Sequence, residues 1–173
     1  LAGLTNLQKL CLHENNISDI SALSGITKLR ELKLAHNNIS DISALAGLTN
    51  LDGLFLEKNN ISDISALAGL TNLQKLCLHE NNISDISALS GITKLRELKL
   101  ARNNISDISA LAGLTNLQWL GLLENNISDI EPLFDNAGLA GGDIVNLENN
   151  PLSPESINSY IPQLEARGVT VHY

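Results

Sequence analysis

Residues 29–50 read LRELKLAHNNISDISALAGLTN, and this stretch decides the fold. It is one of six tandem copies of a 22-residue unit, which begin at Leu7, Leu29, Leu51, Leu73, Leu95 and Leu117. A fixed period of this length means one small supersecondary unit stacked on itself, because so short a unit cannot bury its apolar face alone. Leu32 and Leu34 alternate with Glu31, Lys33 and Ala35. Period two puts the leucines on one face of a short strand and the other three on the opposite face. Asn37 then closes the strand. A buried Asn amide offers two donors and an acceptor to backbone groups that a turn leaves unpaired. Its counterparts Asn15, Asn59, Asn81, Asn103 and Asn125 predict a ladder along the stack. On the return path Ile39, Ile42, Leu45 and Leu48 stand three apart. That spacing suits tight helical turns with one apolar stripe. Asp41 precedes Ile42 as an N-cap-type residue. Twenty-two residues leave little room for a long α-helix, so 3₁₀ turns are predicted on the outer side.

Eight positions hold in all six copies, represented by Leu7, Leu10, Leu12, Asn15, Ile17, Asp19, Ile20 and Leu23. The pattern LxxLxLxxNNIxDIxxLxxL resembles the leucine-rich repeat, and the 22-residue form with NNISDIS looks like its internalin-type subclass. The match covers Leu1 to about Leu133, and the tail looks like a repeat-protein C-terminal cap. The resemblance implies an α/β solenoid, a right-handed superhelix with a parallel β-sheet on its concave face and 3₁₀ turns on its convex face. It also implies recognition of another protein, often at a bacterial surface, and so a secreted or cell-surface setting.

Read in order, the chain opens with Leu1–Asn6 (LAGLTN), the tail of a coil whose head is missing. End coils expose one side of the core and a strand edge. A longer parent array, or a homodimer in which a second copy covers this end, is expected from that. Residues 1–66 and 67–132 superimpose. From Leu1 to Leu51 they differ only at His36 against Arg102. Recent duplication or deliberate module copying explains such near-identity. The other differences are Asp52/Gln118, Gly53/Trp119, Phe55/Gly121, Glu57/Leu123, Lys58/Glu124, Ser65/Glu131 and Ala66/Pro132. Five of these seven fall on or beside the strand, at positions predicted to point away from the core.

After Leu133 the segment FDNAGLAGGD lengthens the sixth coil. Phasing resumes at Val145, Leu147 and Asn150, a seventh strand and turn. The repeats are therefore bounded at 1–141, and 142–173 is read as the last repeat strand and cap. Ser153-Pro154-Glu155 opens a helix, with Ser as N-cap and Pro at the first helical position. Pro162 predicts a break, giving short helices over about 154–160 and 162–167. Gly168 ends the second, and Val169 to Tyr173 alternates as a closing strand. Ile157, Ile161 and Leu164 are expected to cover the last core layer.

The chain has 173 residues, 43% hydrophobic and only 3% aromatic, so Leu and Ile fill the core of one domain. Eleven Lys and Arg against 19 Asp and Glu leave a net charge of −8. An acidic chain without a basic patch is a poor match to nucleic acid or anionic membranes. No run approaches the roughly 18 apolar residues that a spanning helix needs. Cys11 and Cys77 occupy equivalent sites three coils apart, about 14 Å at the spacing of parallel strands. That exceeds the reach of a disulfide, so both are expected as free thiols on an exposed strand face.

Outward positions of each strand should line the concave face: Lys9, Cys11, His13 in the first coil, then Glu31, Lys33, Ala35 and so on. Lys9 should neighbour Glu31, and Lys75 should neighbour Glu97. Trp119 and Leu123 flank Gly121 on one strand and are predicted to face solvent as binding anchors. Phe55 is the same kind of residue three coils earlier. Lys33, Lys99, His13 and His79 complete the candidate partner-binding set. Cys11 with His13, and Cys77 with His79, could begin a zinc site with Glu14 or His36 nearby. Structural zinc takes four close ligands and each cluster offers two good ones, so no metal site is predicted. Calcium takes six to eight oxygens, and one Asp per coil beside Ser40 and Ser43 fits turn capping better. No phosphate loop or nucleophile elbow is present, so neither catalysis nor a cofactor is expected. The sequence points to a protein- or peptide-binding module using its concave face. A repeat scaffold or spacer without a specific ligand is the alternative.

Overall fold

The structure, a computed structural model, describes residues 3–173, so Leu1 and Ala2 of the opening LAGLTN run lie outside it. Each repeat places three residues in a strand: β1 Lys9–Cys11, β2 Glu31–Lys33, β3 Gly53–Phe55, β4 Lys75–Cys77, β5 Glu97–Lys99 and β6 Trp119–Gly121. Two more, β7 Ile144–Asn146 and β8 Thr170–His172, follow in the tail. All eight pair in parallel, in chain order, as one open sheet. The register has no slip. Leu10, Leu32, Leu54, Leu76, Leu98 and Leu120 stand in one row, continued by Val145 and Val171. The closing segment therefore does more than cap the seventh strand: it adds an eighth to the same sheet.

Return segments carry 3₁₀ turns at Ser21–Leu23, Ser43–Leu45, Ser65–Leu67, Ser87–Leu89 and Ser109–Leu111, stacked on the convex side. Leu and Ile from strand and return path interlock in one continuous core. In inner coils Leu32, Leu54, Ile61 and their counterparts are wholly buried. In the first coil Leu7, Leu10, Leu12 and Ile17 are only partly covered. The difference is positional, since the residues are the same.

The asparagine ladder has the expected form. Asn59 donates from Nδ2 to the Leu34 carbonyl of the preceding coil at 3.0 Å and to its own coil's Leu56 carbonyl at 3.0 Å. Its Oδ1 accepts the Ile39 N–H at 2.9 Å. Asn37, Asn81, Asn103, Asn125 and Asn150 repeat this arrangement. The residue before each ladder Asn lies in the left-handed region, from Glu14 (φ 56°) to Glu124 (φ 53°) and Asn149 (φ 57°).

The Asp column caps the convex turns one step earlier than a conventional N-cap. The Ser43 N–H donates to Asp41 Oδ1 at 2.8 Å, while Ile42 occupies the N-cap position itself. Asp19, Asp63, Asp85 and Asp107 do the same for the serine two residues on. A side chain that reaches forward to accept from the N–H two residues ahead makes an Asx turn, which needs no helical entry at the Asp itself.

The tail departs from expectation in two places. Residues 154–166 form one continuous helical segment, not two. Its middle, Ser156–Tyr160, widens to a π-turn in which the Ile161 N–H reaches Ser156 O, and an α-helix over Ile161–Ala166 follows. Pro162 lacks an N–H and its ring crowds the carbonyl four residues back; a wider turn relieves both. Ile157 is 38% exposed and does not cover the core, whereas Ile161 and Leu164 are buried as expected. The added residue of the π-turn rotates Ile157 off the inner face. Ser153 does cap the segment, its Oγ accepting the Ser156 N–H at 3.1 Å.

Candidate binding surface

The alternate side chains that the strands turn away from the core lie on the concave sheet. There the two aromatic residues do not stand out into solvent. Phe55 and Trp119 are half-buried, as is Leu123. The Trp119 ring lies back along β6 over Gly121, so close that a Cβ at residue 121 would meet its ring atoms at 2.5 Å. Phe55 mirrors this in the other direction: its ring lies over Gly53, 3.3 Å from where a Cβ would be. The halves of the molecule thus exchange glycine and aromatic between two positions of one strand. The glycine makes the bed in which the ring lies.

A lysine covers each ring. Lys33 Nζ stands 5.3 Å from the Phe55 ring centroid and Lys99 Nζ 5.1 Å from that of Trp119. Each ammonium is also held by a carboxylate, Lys33 by Glu31 at 3.2 Å and Lys99 by Glu97 at 2.8 Å. Lys9 and Lys75 approach the same glutamates at 3.2 and 3.3 Å, as the register required. Hydrogen bonding from Lys33, then from Lys9, holds the Glu31 carboxyl below the usual carboxylate range. Lys99 does the same to Glu97, and Glu97 raises the Lys99 ammonium in turn. These exposed or half-exposed pairs contribute little to stability, but they orient the lysines over the rings.

The candidate residues fall into two groups. Lys33, Phe55 and His13 border one hollow of about 320 Å³. Lys99 and Trp119 meet three coils on, with Leu123 on the same strand face. His79 is half-buried between these groups, and burial lowers its imidazole from the ordinary value against the raising charge of Glu57. Cys77 is 3% exposed, not on open surface as its sequence position suggests. Neighbouring Phe55 and Lys99 cover it in the sheet. Burial, aided by the Glu57 charge, pushes its thiol up to about 12. Cys11 is exposed, because the first coil has no such neighbour on its outer side. Among the described residues, no three or more His, Cys, Asp or Glu are grouped to hold a metal ion. No helix there is long and apolar enough to cross a membrane.

Glu57, Glu14 and His36 also border the Phe55 hollow, beyond the partner-binding set that the sequence suggests. Their signal was present in the differences between the halves: residues 36, 55 and 57 are three of the few that change. Hollows of about 450 and 470 Å³ also lie between 3₁₀ turns on the convex side, walled by the Asp and Ser of the caps. Their carboxylates already serve the turn N–H groups.

An eight-strand parallel sheet in 22-residue coils, edged by an asparagine ladder, defines a leucine-rich-repeat solenoid. The family model for leucine-rich repeats (two copies) matches residues 5–47, 49–91 and 93–135, and the chain belongs to that family, in its internalin-like form. A solved internalin (inlF) from Listeria monocytogenes superimposes with a TM-score of 0.90 at 34% identity, over 99% of this chain and 50% of that one. An internalin C2 (inlC2) from the same organism gives 0.85 at 37% identity, over 97% of this chain and 72% of that one. A plant peptide hormone receptor, RGFR1, solved in complex with RGF2, gives 0.76 at 26% identity, over 96% and 28%. The chain thus spans half the length of the first of these. A comparison with curated protein sequences gives no match.

Proposed function

We propose that this solenoid is a non-catalytic binding module that takes a protein or peptide on its concave face, with Trp119, Leu123 and Phe55 as anchors. The observation that carries the reading is where the two halves differ. Framework residues are held between them, while Gly53/Trp119, Phe55/Gly121 and Glu57/Leu123 all change on the concave face. Core packing does not require those side chains, so their choice reflects what the face meets. The three side chains keep part of their surface open on that face, and aromatic residues dominate interface energetics. A structurally similar receptor binds a peptide hormone, which is consistent with this use of the fold.

The test begins with a ligand identified by crosslinking and mass spectrometry, then purified. Its affinity is measured for the parent chain, Trp119→Ala, Phe55→Ala and a convex-face control, Ser62→Arg. The expected result is a loss of about tenfold or more for Trp119→Ala, in the range of a hot-spot truncation, and no change for Ser62→Arg. A ligand that binds both aromatic variants as it binds the parent, and loses affinity with Ser62→Arg, moves the site to the convex side.

A further inference from the structure

We infer that Glu57 is a positioning residue for His79: Nδ1 of the ring carries the proton and donates to Glu57 Oε2, which leaves Nε2 to meet a bound protein or peptide as a hydrogen-bond acceptor. The inference rests on the concave-face reading and specifies one contact of it, an N–H or O–H of the partner opposite His79. Among the described residues, two buried side-chain polar atoms have no hydrogen-bond partner, His79 Nδ1 and Glu57 Oε2. They belong to adjacent coils. Phe55 pairs with Cys77 across β3 and β4, and the register runs on past both strands. There the Leu56 N–H donates to Cys77 O at 2.8 Å and the Lys58 N–H to His79 O at 3.0 Å. Glu57 and His79 therefore stand side by side on the same face, their backbones about 4.8 Å apart.

Buried polar atoms in native folds are nearly always matched, and a turn of either side chain matches these two to each other. A carboxylate oxygen only accepts. A neutral imidazole has one N–H and one bare nitrogen, so the nitrogen that faces Glu57 is the one that bears hydrogen. Other charges around the ring are already engaged. Glu80 is held by Lys58 at 3.7 Å and by Arg102 at 3.5 Å, and Lys99 by Glu97 at 2.8 Å. Glu57 enters no ion pair among the described residues. On the β5 side Ala101 stands beside His79 and offers no polar side-chain atom, and Cys77, two residues back, is a buried thiol. After burial itself, the Glu57 charge acts on the ring more strongly than those of Glu80, Lys99 and Lys58. Nδ1 is the ring nitrogen shut from water, which leaves Nε2 for the concave surface. His13 is an internal control. It lies in the same run, KLCLHENN, but is exposed and has Ala35 beside it in the next coil.

The test is long-range proton–nitrogen correlation NMR on the isotopically labelled chain at pH 8, which shows for each imidazole which nitrogen bears the proton. His79 should show a protonated Nδ1 and a bare Nε2, whereas His13 should show the mixture of a free imidazole. Glu57→Leu, which copies the residue at position 123, should return His79 to that mixture. Glu57→Gln removes the charge and keeps the shape, and should move the His79 titration midpoint down by about one pH unit, as loss of a close opposite charge does. The backbone amide spectrum of each variant reports its folding directly. A His79 protonated mainly on Nε2 in the parent, a tautomer unaltered by Glu57→Leu, or a midpoint unmoved by Glu57→Gln would overturn the assignment. Such a failure leaves the aromatic anchors standing, because their test reads partner affinity and this one reads the free chain.

Discussion

At the scale of single residues, the ladder asparagines do more than close strands. The carbonyls of Leu56 and Leu78 each accept from two successive asparagines, Asn59 with Asn81 and Asn81 with Asn103. The Ile61 N–H has Asn81 Oδ1 as its acceptor at 3.0 Å. Replacing Asn81 by Leu therefore orphans one buried N–H and leaves two carbonyls with a single donor each. The expected loss is about 2–4 kcal/mol, read from urea unfolding. Asn15→Leu offers a contrast in the same molecule. Asn15 is exposed, and the Leu12 carbonyl it reaches is also served by Asn37. Its removal should cost under about 1 kcal/mol, as for an exposed hydrogen bond. Equal losses at the two sites would refute the shared-acceptor account. Asn15 and its copies were legible because the amide offers two N–H donors and a separate carbonyl acceptor at one short side chain. The left-handed residue ahead of each was not, Asn149 apart, since Glu, His, Lys and Arg give no hint of φ near 55°. Nor was Asn136 flagged in the lengthened coil, at a place where other coils carry Leu or Ile. It is wholly buried and donates to the Leu111 carbonyl at 2.8 Å and the Leu114 carbonyl at 3.2 Å.

At the scale of one strand, the concave face is set by pairs of residues two apart. The sequence placed Trp119 and Phe55 on this face, but two residues' alternation cannot say whether a ring stands up or lies down. That depends on the glycine beside it, whose missing Cβ is the vacancy the ring fills. Gly121→Ala tests the point. The new methyl would meet the outer edge of the Trp119 ring, a movable group, so the ring should swing outward while the backbone keeps its place. Trp119 is the single tryptophan, so its fluorescence reports the change alone. Emission should shift to longer wavelength, with stability altered by no more than about 1 kcal/mol. An unshifted spectrum would mean that the ring already stands clear of residue 121. The same limit of pattern reading applies to the tail. Ser153 and Pro154 announced the helix start, while the π-turn that turns Ile157 outward arises from Pro162 several residues later.

At the scale of the whole molecule, position in the stack overrides residue identity. Cys11 and Cys77 sit in copies with the same neighbours in sequence, yet one is exposed and the other buried. At pH 8 a thiol held near 12 has a thiolate fraction of about 10⁻⁴. A disulfide reagent should therefore titrate one thiol promptly and the second only after denaturant is added. Two prompt equivalents would show that β3 and β5 do not cover Cys77. The convex side carries a property that belongs to the stack as well. Asp19, Asp41, Asp63, Asp85 and Asp107 all lie below their ordinary value, because a serine N–H and then its hydroxyl bond the ionised carboxylate. Protonation must then oppose folding. The unfolded chain binds protons at the ordinary carboxylate range, near 3.9, while the folded chain resists until lower pH. The contribution is complete above about pH 5 and is lost as pH falls through the depressed folded values. Five small effects of one sign add, so urea stability should fall steeply between about pH 4 and pH 2. Asp63→Asn with Asp85→Asn keeps an acceptor oxygen for Ser65 and Ser87 without a titrating group. Between neutral pH and pH 2 that double variant should lose less stability than the parent, in proportion to the carboxylates removed. A slope unchanged by the double substitution would place the acid sensitivity on the concave glutamates instead.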